Sequence, residues 1–304
     1  MLCPYCLRRT STATCKHCHT PLPPLYANEH KGVARDPAIL SAVGFRGHGK
    51  TVFLASLLHV MERQLPHVWK GFYRQALDIE SVRIVQENLT RLEQGELPQS
   101  TRSNFPRPSA HRLAKMRDYG TQDLLIYDPP GEAFNSDEGI ERYAHFVRNA
   151  RCVLFLVSVV DLEEPKASDL YRLLNTYVLG MGRLGAKTKR QHLIVAYTKA
   201  DLLLDAFADL SAVNEHLRNG HEDSSLTRPR RYQRELEAVS KELATYTESE
   251  LGAQNFANLA ASAFRTVSYC TVSALGSPPE HGFLATAIEP RGVVDPLMWL
   301  LRRS

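Results

Sequence analysis

Gly44, Gly49, Lys50 and Thr51 stand at the spacing G-x-x-x-x-G-K-[ST], within the stretch GFRGHGKT. That spelling matches the needs of a loop wrapped around phosphate. Glycines let the backbone turn tightly, so that N–H groups along residues 44–49, Gly47 and His48 included, can point at phosphate oxygens. A lysine at position 50 can reach the β- and γ-phosphates, and a hydroxyl at position 51 can ligate Mg²⁺. A glycine-rich loop can carry this pattern by chance, but an apolar strand before it and a helix after it are the context the chemistry demands.

Two further carboxylates fall where such a loop could use them. Asp128 ends the apolar run 122–127 and opens Asp128-Pro-Pro-Gly131-Glu132. A carboxylate at a strand's C-terminal end can hold Mg²⁺ through water, and a glycine three residues on can offer its N–H to a γ-phosphate. Alone, D-x-x-G is usually a turn; its place after an apolar strand makes it specific. Thr198-Lys199-Ala-Asp201 follows a second apolar run, 192–197. A carboxylate at 201 accepts from both N1–H and the exocyclic amine of guanine, a pair adenine does not offer, while the Lys199 stem packs along the ring. The competing reading is a strand-to-helix turn with an N-cap Asp. Ser273-Ala274-Leu275, after the run 267–272, supplies a backbone N–H for the guanine O6. That assignment rests on chain order.

A different chemistry occupies the N-terminus. Cys3-Pro-Tyr-Cys6 and Cys15-Lys-His-Cys18 are two C-x₂-C knuckles separated by eight residues. Four thiolates at this spacing can close a tetrahedral Zn²⁺ shell and stabilise a module too small for its own core. His17 and His19 could substitute as ligands, but four cysteines already fill the shell. A redox C-x-x-C is the competing reading of either pair alone. Cys152 and Cys270 lie in apolar runs and read as buried thiols. This cysteine usage suits a reducing compartment.

These groups must be held by alternating strands and helices. Strands are expected at 39–43, 111–117, 122–127, 152–160, 192–197 and 267–272, with helices at 51–64, 81–93, 136–150 and 167–184. The segment 202–264 reads as mostly helical, and 293–301 as an apolar closing helix. The continuous apolar run 152–160 fits a central strand covered on both faces. Between 96 and 104 lies a polar loop that is either ordinary or a nucleotide-sensing segment, with Thr101 as a candidate Mg²⁺ ligand. The basic Arg228-Pro-Arg-Arg fits a solvated loop or a docking patch. Residues 1–20 are expected to form a zinc ribbon, 21–37 a proline-rich linker, and 38–304 the main domain.

Composition is that of a globular chain: 304 residues, 43% hydrophobic, formal net charge +4. So mild a charge does not indicate nucleic acid. No charged-then-apolar leader and no apolar run of membrane-spanning length is visible, so a cytoplasmic location is expected.

In order and content, GFRGHGKT, DPPG, TKAD and SAL resemble the first, third, fourth and fifth motifs of P-loop GTPases, over residues 39–275. The resemblance implies an α/β fold, a doubly wound and mostly parallel sheet with the nucleotide across the strands' C-terminal ends. It also implies GTP, GDP and Mg²⁺ as ligands. The zinc ribbon, D-P-P-G-E and the closing PRGVVDPLMWLL are similar to bacterial double-GTPase proteins of conflict and defence systems. That likeness implies a regulatory switch with a protein partner, a second GTPase or an effector. The chain departs from minimal GTPases in three ways. About 75 residues separate Thr51 from Asp128 and about 70 separate Asp201 from Ser273, so helical insertions are expected. Glu132 stands where minimal signalling GTPases often carry a water-orienting Gln. Arg46 replaces a small residue, and either neutralises γ-phosphate charge or crowds the attacking water. Lys50, Arg46, Glu132 and Thr101 are therefore the candidate catalytic groups, and slow hydrolysis is expected. The alternative is a non-hydrolysing nucleotide-binding scaffold that docks partners through its ribbon.

Overall fold

A computed structural model of the chain describes residues 1–30, 36–98, 107–219, 225–280, 283–284 and 287–303. Thr101, the candidate switch threonine, lies outside them. Seven strands form one sheet: β1 Ala38–Val43, β2 Tyr73–Ala76, β3 Ser109–Met116, β4 Gly120–Tyr127, β5 Cys152–Ser158, β6 His192–Thr198 and β7 Thr266–Val272. The helices are α1 Pro24–His30, α2 Lys50–Arg63, α3 Leu65–Val68, α4 Ile79–Glu93, α5 Asp137–Tyr143, α6 Lys166–Arg183, α7 Ser211–Arg218, α8 Pro229–Ser249, α9 Gln254–Ala263 and α10 Asp295–Arg303.

The strand order is β2-β3-β4-β1-β5-β6-β7. From β4 through β7 every pairing is parallel, while β2–β3 and β3–β4 are antiparallel. This is the α/β, mostly parallel sheet the motif order implied. Strands β1, β5 and β6 are buried along their whole length, because helices cover both faces. Phe134, Phe146, Tyr177 and Phe256 fill one face. Phe53, Leu57, Trp69 and Trp299 fill the other, where α10 lies against β1, β5, β6 and β7. The chain leaves β1 toward β4 on one side and β5 on the other, so strand order reverses at β1. In open α/β sheets the crevice at that reversal, beyond the strands' carboxyl ends, is where ligands bind.

Three local expectations need correction. Residues 136–150, read as one helix, split into α5 and a 3₁₀ turn His145–Asn149. Strand β2 has no counterpart among the expected strands. It pairs with β3 alone, at the sheet's edge, and its YRQA sequence is exposed or half-buried. Within the stretch expected as a linker, Pro24–His30 is helical, and Tyr26 is fully buried with its hydroxyl donating to the Leu2 carbonyl at 2.7 Å. The physical reason is apolar content: Leu22, Tyr26 and Ala27 bury themselves beneath the cysteine knuckles.

Candidate functional site

Strand β1 delivers the chain into residues 44–49, and α2 takes it away. Gly44 has no room for a side chain, since a Cβ there would stand 2.4 Å from the Leu156 carbonyl oxygen on β5. Gly47 and Gly49 hold φ near 85° and 80°, a region that costs other residues. No side chain caps the start of α2, so its first-turn N–H groups remain directed to the loop and to any anion within it. The Lys50 ammonium lies inside, donating to the carbonyls of Gly44 (2.8 Å) and Phe45 (2.9 Å). His48 is buried, its Nδ1 facing the Ser158 N–H at 3.4 Å. Burial, and next the Lys50 charge, hold its imidazole down to about 4, so it is neutral at physiological pH.

Thr51 and Asp128, 77 positions apart, meet: the threonine hydroxyl donates to the carboxylate at 2.9 Å. A hydroxyl and a carboxylate side by side next to a phosphate loop are hard oxygen donors of the kind Mg²⁺ takes. Gly131 follows so closely that a Cβ on it would stand 2.4 Å from the Arg46 backbone nitrogen. The D-P-P-G turn therefore packs its backbone on the phosphate loop, and only glycine fits. Arg46 and Glu132 form an ion pair at 3.6 Å on the surface, with the arginine 84% exposed. Such a pair is worth little by itself and leaves both groups able to move.

Beyond Gly47 and Gly49 opens a cavity of about 280 Å³, also lined by Val52, Thr198, Lys199, Asp201, Ala274 and Leu275. The structure thus brings the phosphate-loop glycines and both expected base-reading segments to one hollow. Ser273 donates its hydroxyl to Asp201 at 2.6 Å and accepts from the Gly276 N–H at 3.1 Å. Ala274 is anchored from beneath, its carbonyl accepting from the Ser56 hydroxyl at 2.6 Å. Lys199 adopts a left-handed conformation (φ 55°) and reaches Asp161 at 2.5 Å. Thr198, expected among the nucleotide contacts, lines the cavity but spends its proton on the His48 carbonyl at 3.0 Å. That bond ties the turn after β6 to the glycine loop after β1.

Sequence reasoning missed Arg291. Its backbone exchanges two hydrogen bonds with Ser273 (2.9 and 2.8 Å). Its guanidinium donates to the carbonyls of Leu217 and Arg218 at the end of α7. A loop held by a residue 18 positions later leaves no periodic or spaced signal.

The four N-terminal sulfurs all lie within 4.8 Å of one another, with Cys3–Cys18 at 3.8 Å and Cys6–Cys15 at 3.6 Å. A tetrahedron of Zn–S bonds near 2.3 Å requires S···S separations of roughly 3.8 Å, so the cluster fits zinc. Each knuckle closes on a left-handed residue, Leu7 or His19, whose N–H returns to the carbonyl of the first cysteine. His17 and His19 are outside the cluster. The first knuckle is fastened to the sheet: the Tyr127 hydroxyl donates to the Pro4 carbonyl at 2.5 Å, and the Tyr127 ring stacks on Phe146 at 4.3 Å.

Lys50 gives the site a pH signature. Burial holds its ammonium down to about 8, against the opposing pull of Asp128 and Glu132. Bound phosphates favour the charged form, so nucleotide binding should take up one proton above pH 8. Affinity should be flat from pH 7 to 8, then fall by up to about tenfold per pH unit. Titration calorimetry in two buffers of different ionisation heat, between pH 7 and 9, reads both affinity and proton. A flat profile would mean that the lysine stays charged without nucleotide. In the empty chain the same shift acts on stability. The unfolded state holds more protons between pH 8 and 10.5, so stability rises with pH across that window.

Among the described residues no helix is long and apolar enough to cross a membrane. A search of curated proteins returned no match. Among solved structures, a bacterial selenocysteine-specific elongation factor is similar over 89% of this chain and 29% of its own, at 12% identity and a TM-score of 0.37. A GDP-bound GTP-binding protein from the archaeon Sulfolobus solfataricus is similar over 88% of this chain and 51% of its own, at 10% identity and a TM-score of 0.36. The SRb-GTP/SRX signal recognition particle receptor complex from Chaetomium thermophilum has a chain similar over 82% of this one and 95% of its own, at 14% identity and a TM-score of 0.42. The chain thus spans half or less of the first of these proteins and about half of the second. The family model described as Double-GTPase 2 matches residues 38–262, most of the chain, from β1 to the end of α9, and the chain belongs to that family.

Proposed function

We propose that the chain binds Mg-GTP in the crevice at β1, hydrolyses it slowly, and uses the phosphate state to gate a partner protein. That partner is a second GTPase or an effector, in a bacterial conflict system. One observation carries the reading: a single hollow runs from the phosphate-loop glycines to Asp201 and Leu275. Phosphate recognition and guanine recognition would be useless if they were apart.

In this reading Lys50 exchanges its two carbonyl partners for β- and γ-phosphate oxygens. Thr51 and Asp128 are the residues that would hold Mg²⁺, which would supply neutralisation of phosphate charge. Gly131 offers its N–H to the γ-phosphate, next to Arg46. Asp201 accepts from the guanine edge while Ser273 keeps the carboxylate oriented. Glu132 is an acceptor-only side chain where a carboxamide could both donate and accept, which leaves the attacking water poorly oriented.

Single-turnover hydrolysis of GTP tests the catalytic half. The expected rate is roughly 10⁻⁴ to 10⁻² s⁻¹, the range of intrinsic GTPases without a partner, and Glu132→Gln should raise it. Bound GTP that persists for a day without phosphate release would instead favour the scaffold reading, in which the exposed Arg46–Glu132 pair stands across the path of water.

A further inference from the structure

The ribbon and the main body together line a second, open hollow, of about 650 Å³, that shares no lining residue with the cavity at Asp201. Arg8 and His17 line it from the ribbon, and His145, Arg148 and Asn149 from the 3₁₀ turn that follows α5. Leu184, at the end of α6, closes one side. Cys6 of the cysteine cluster and Leu7 complete the lining, and among the described lining residues there is no carboxylate.

The pairing of the nearby arginines singles out two of them. Arg9, next to Arg8, is bound by Asp36 at 2.7 Å. Arg183, next to Leu184, is engaged by Asp137 and Glu138. Among the described residues, Arg8 and Arg148 meet no carboxylate, although both line one hollow, one from the ribbon and one from the 3₁₀ turn. Two guanidinium groups that meet no carboxylate among the described residues, lining one hollow with the His17 imidazole and the Asn149 carboxamide, form a set of hydrogen-bond donors. Guanidinium forks match phosphate oxygens in geometry as well as charge.

We propose that this hollow binds a small phosphate-bearing ligand at a site separate from the guanine cavity. Size favours a small molecule over a polymer. The volume falls in the range of small-ligand sites, and a net charge of only +4 does not supply the long basic track a nucleic acid needs. The ligand would touch both the ribbon and the 3₁₀ turn whose Phe146 stacks on Tyr127, so it would clasp the ribbon to the body.

The test uses the full zinc-loaded chain with the guanine site saturated by GDP, and titrates inorganic phosphate, pyrophosphate and AMP by calorimetry. At least one probe should bind with a dissociation constant below about 1 mM. Arg8→Ala and Arg148→Ala should each weaken it by about tenfold or more, and Arg148→Lys by less than Arg148→Ala. Both arginines are exposed, so truncation should leave folding intact, which a melting curve checks. Arg190→Ala, an exposed arginine outside the hollow, should change nothing. The proposal falls if none of the three probes binds, or if binding survives in the Arg8/Arg148 double variant. It falls equally if only a long RNA oligomer binds, with the double variant unaffected. GDP occupancy is measured separately, so a failure here leaves the guanine reading untouched, and the reverse.

Discussion

Asp201→Asn is expected to exchange the preferred base. The wild-type carboxylate accepts two donors from guanine, and the Ser273 hydroxyl at 2.6 Å holds it in place. The amide keeps one acceptor for N1–H but presents its NH₂ to the guanine amine, so two donors collide. Xanthine carries a carbonyl at that position and accepts from the same NH₂. GTP affinity should fall by roughly a hundredfold or more, while xanthosine triphosphate should gain, because a wrong base leaves buried polar groups unpaired. If Asp201 serves only to start the turn after β6, the same change costs about 1 kcal/mol of stability or less and leaves base preference alone. Titrating both proteins with GTP, ATP and xanthosine triphosphate separates these outcomes. A wild type that prefers ATP, or a variant that keeps the wild-type order, would remove the guanine assignment.

Lys50→Ala carries the other large effect. Lys50 is 6% exposed, and its ammonium donates to two loop carbonyls. Its removal takes away the charge that would meet the β- and γ-phosphates. A lost charge-assisted hydrogen bond costs roughly 1.5–3 kcal/mol, about ten- to a hundredfold in affinity. The loss should be larger for GTP than for GDP, because the lysine spans both terminal phosphates of the triphosphate. The pH dependence above 8 should vanish with the side chain. Unchanged calorimetric affinity for GTP would mean that this loop holds no phosphate.

What could be read in the sequence was local chemistry attached to an apolar strand. Gly44 to Thr51, Asp128 to Gly131, Thr198 to Asp201 and Ser273 to Leu275 each lie at or just past the end of an apolar strand, and β1, β4, β6 and β7 bring all four to the same end of the sheet. The sheet was legible for the same reason, since buried parallel strands are continuous apolar runs. Its edge was not: β2 is short and polar, and only its pairing with β3 marks it as a strand. Helix α1 hid behind prolines that suggested a linker, although a proline at the first helical position is compatible with helix. The site's supports were illegible for a different reason. The partners of Thr198, Arg291 and Tyr127 are His48, the end of α7 and Pro4. Bonds between residues so distant in sequence follow from the fold and leave no spacing to read.

The bond from Tyr127 to Pro4 bears on how the chain can be shortened. Tyr127 and Tyr26 are both fully buried, and both hydroxyls end on carbonyls of the first knuckle, those of Pro4 and Leu2. Cutting away residues 1–20 would remove both of these acceptors and open the face that the ribbon covers, so the shortened chain should melt at a lower temperature than the full one. One of those phenols belongs to the residue immediately before Asp128. The cysteine module and the sheet therefore hold a hydrogen-bond inventory in common. A fragment beginning at β1 loses the Pro4 acceptor of the residue next to Asp128, so a binding defect in such a fragment would report that loss as readily as a contact between the ribbon and nucleotide.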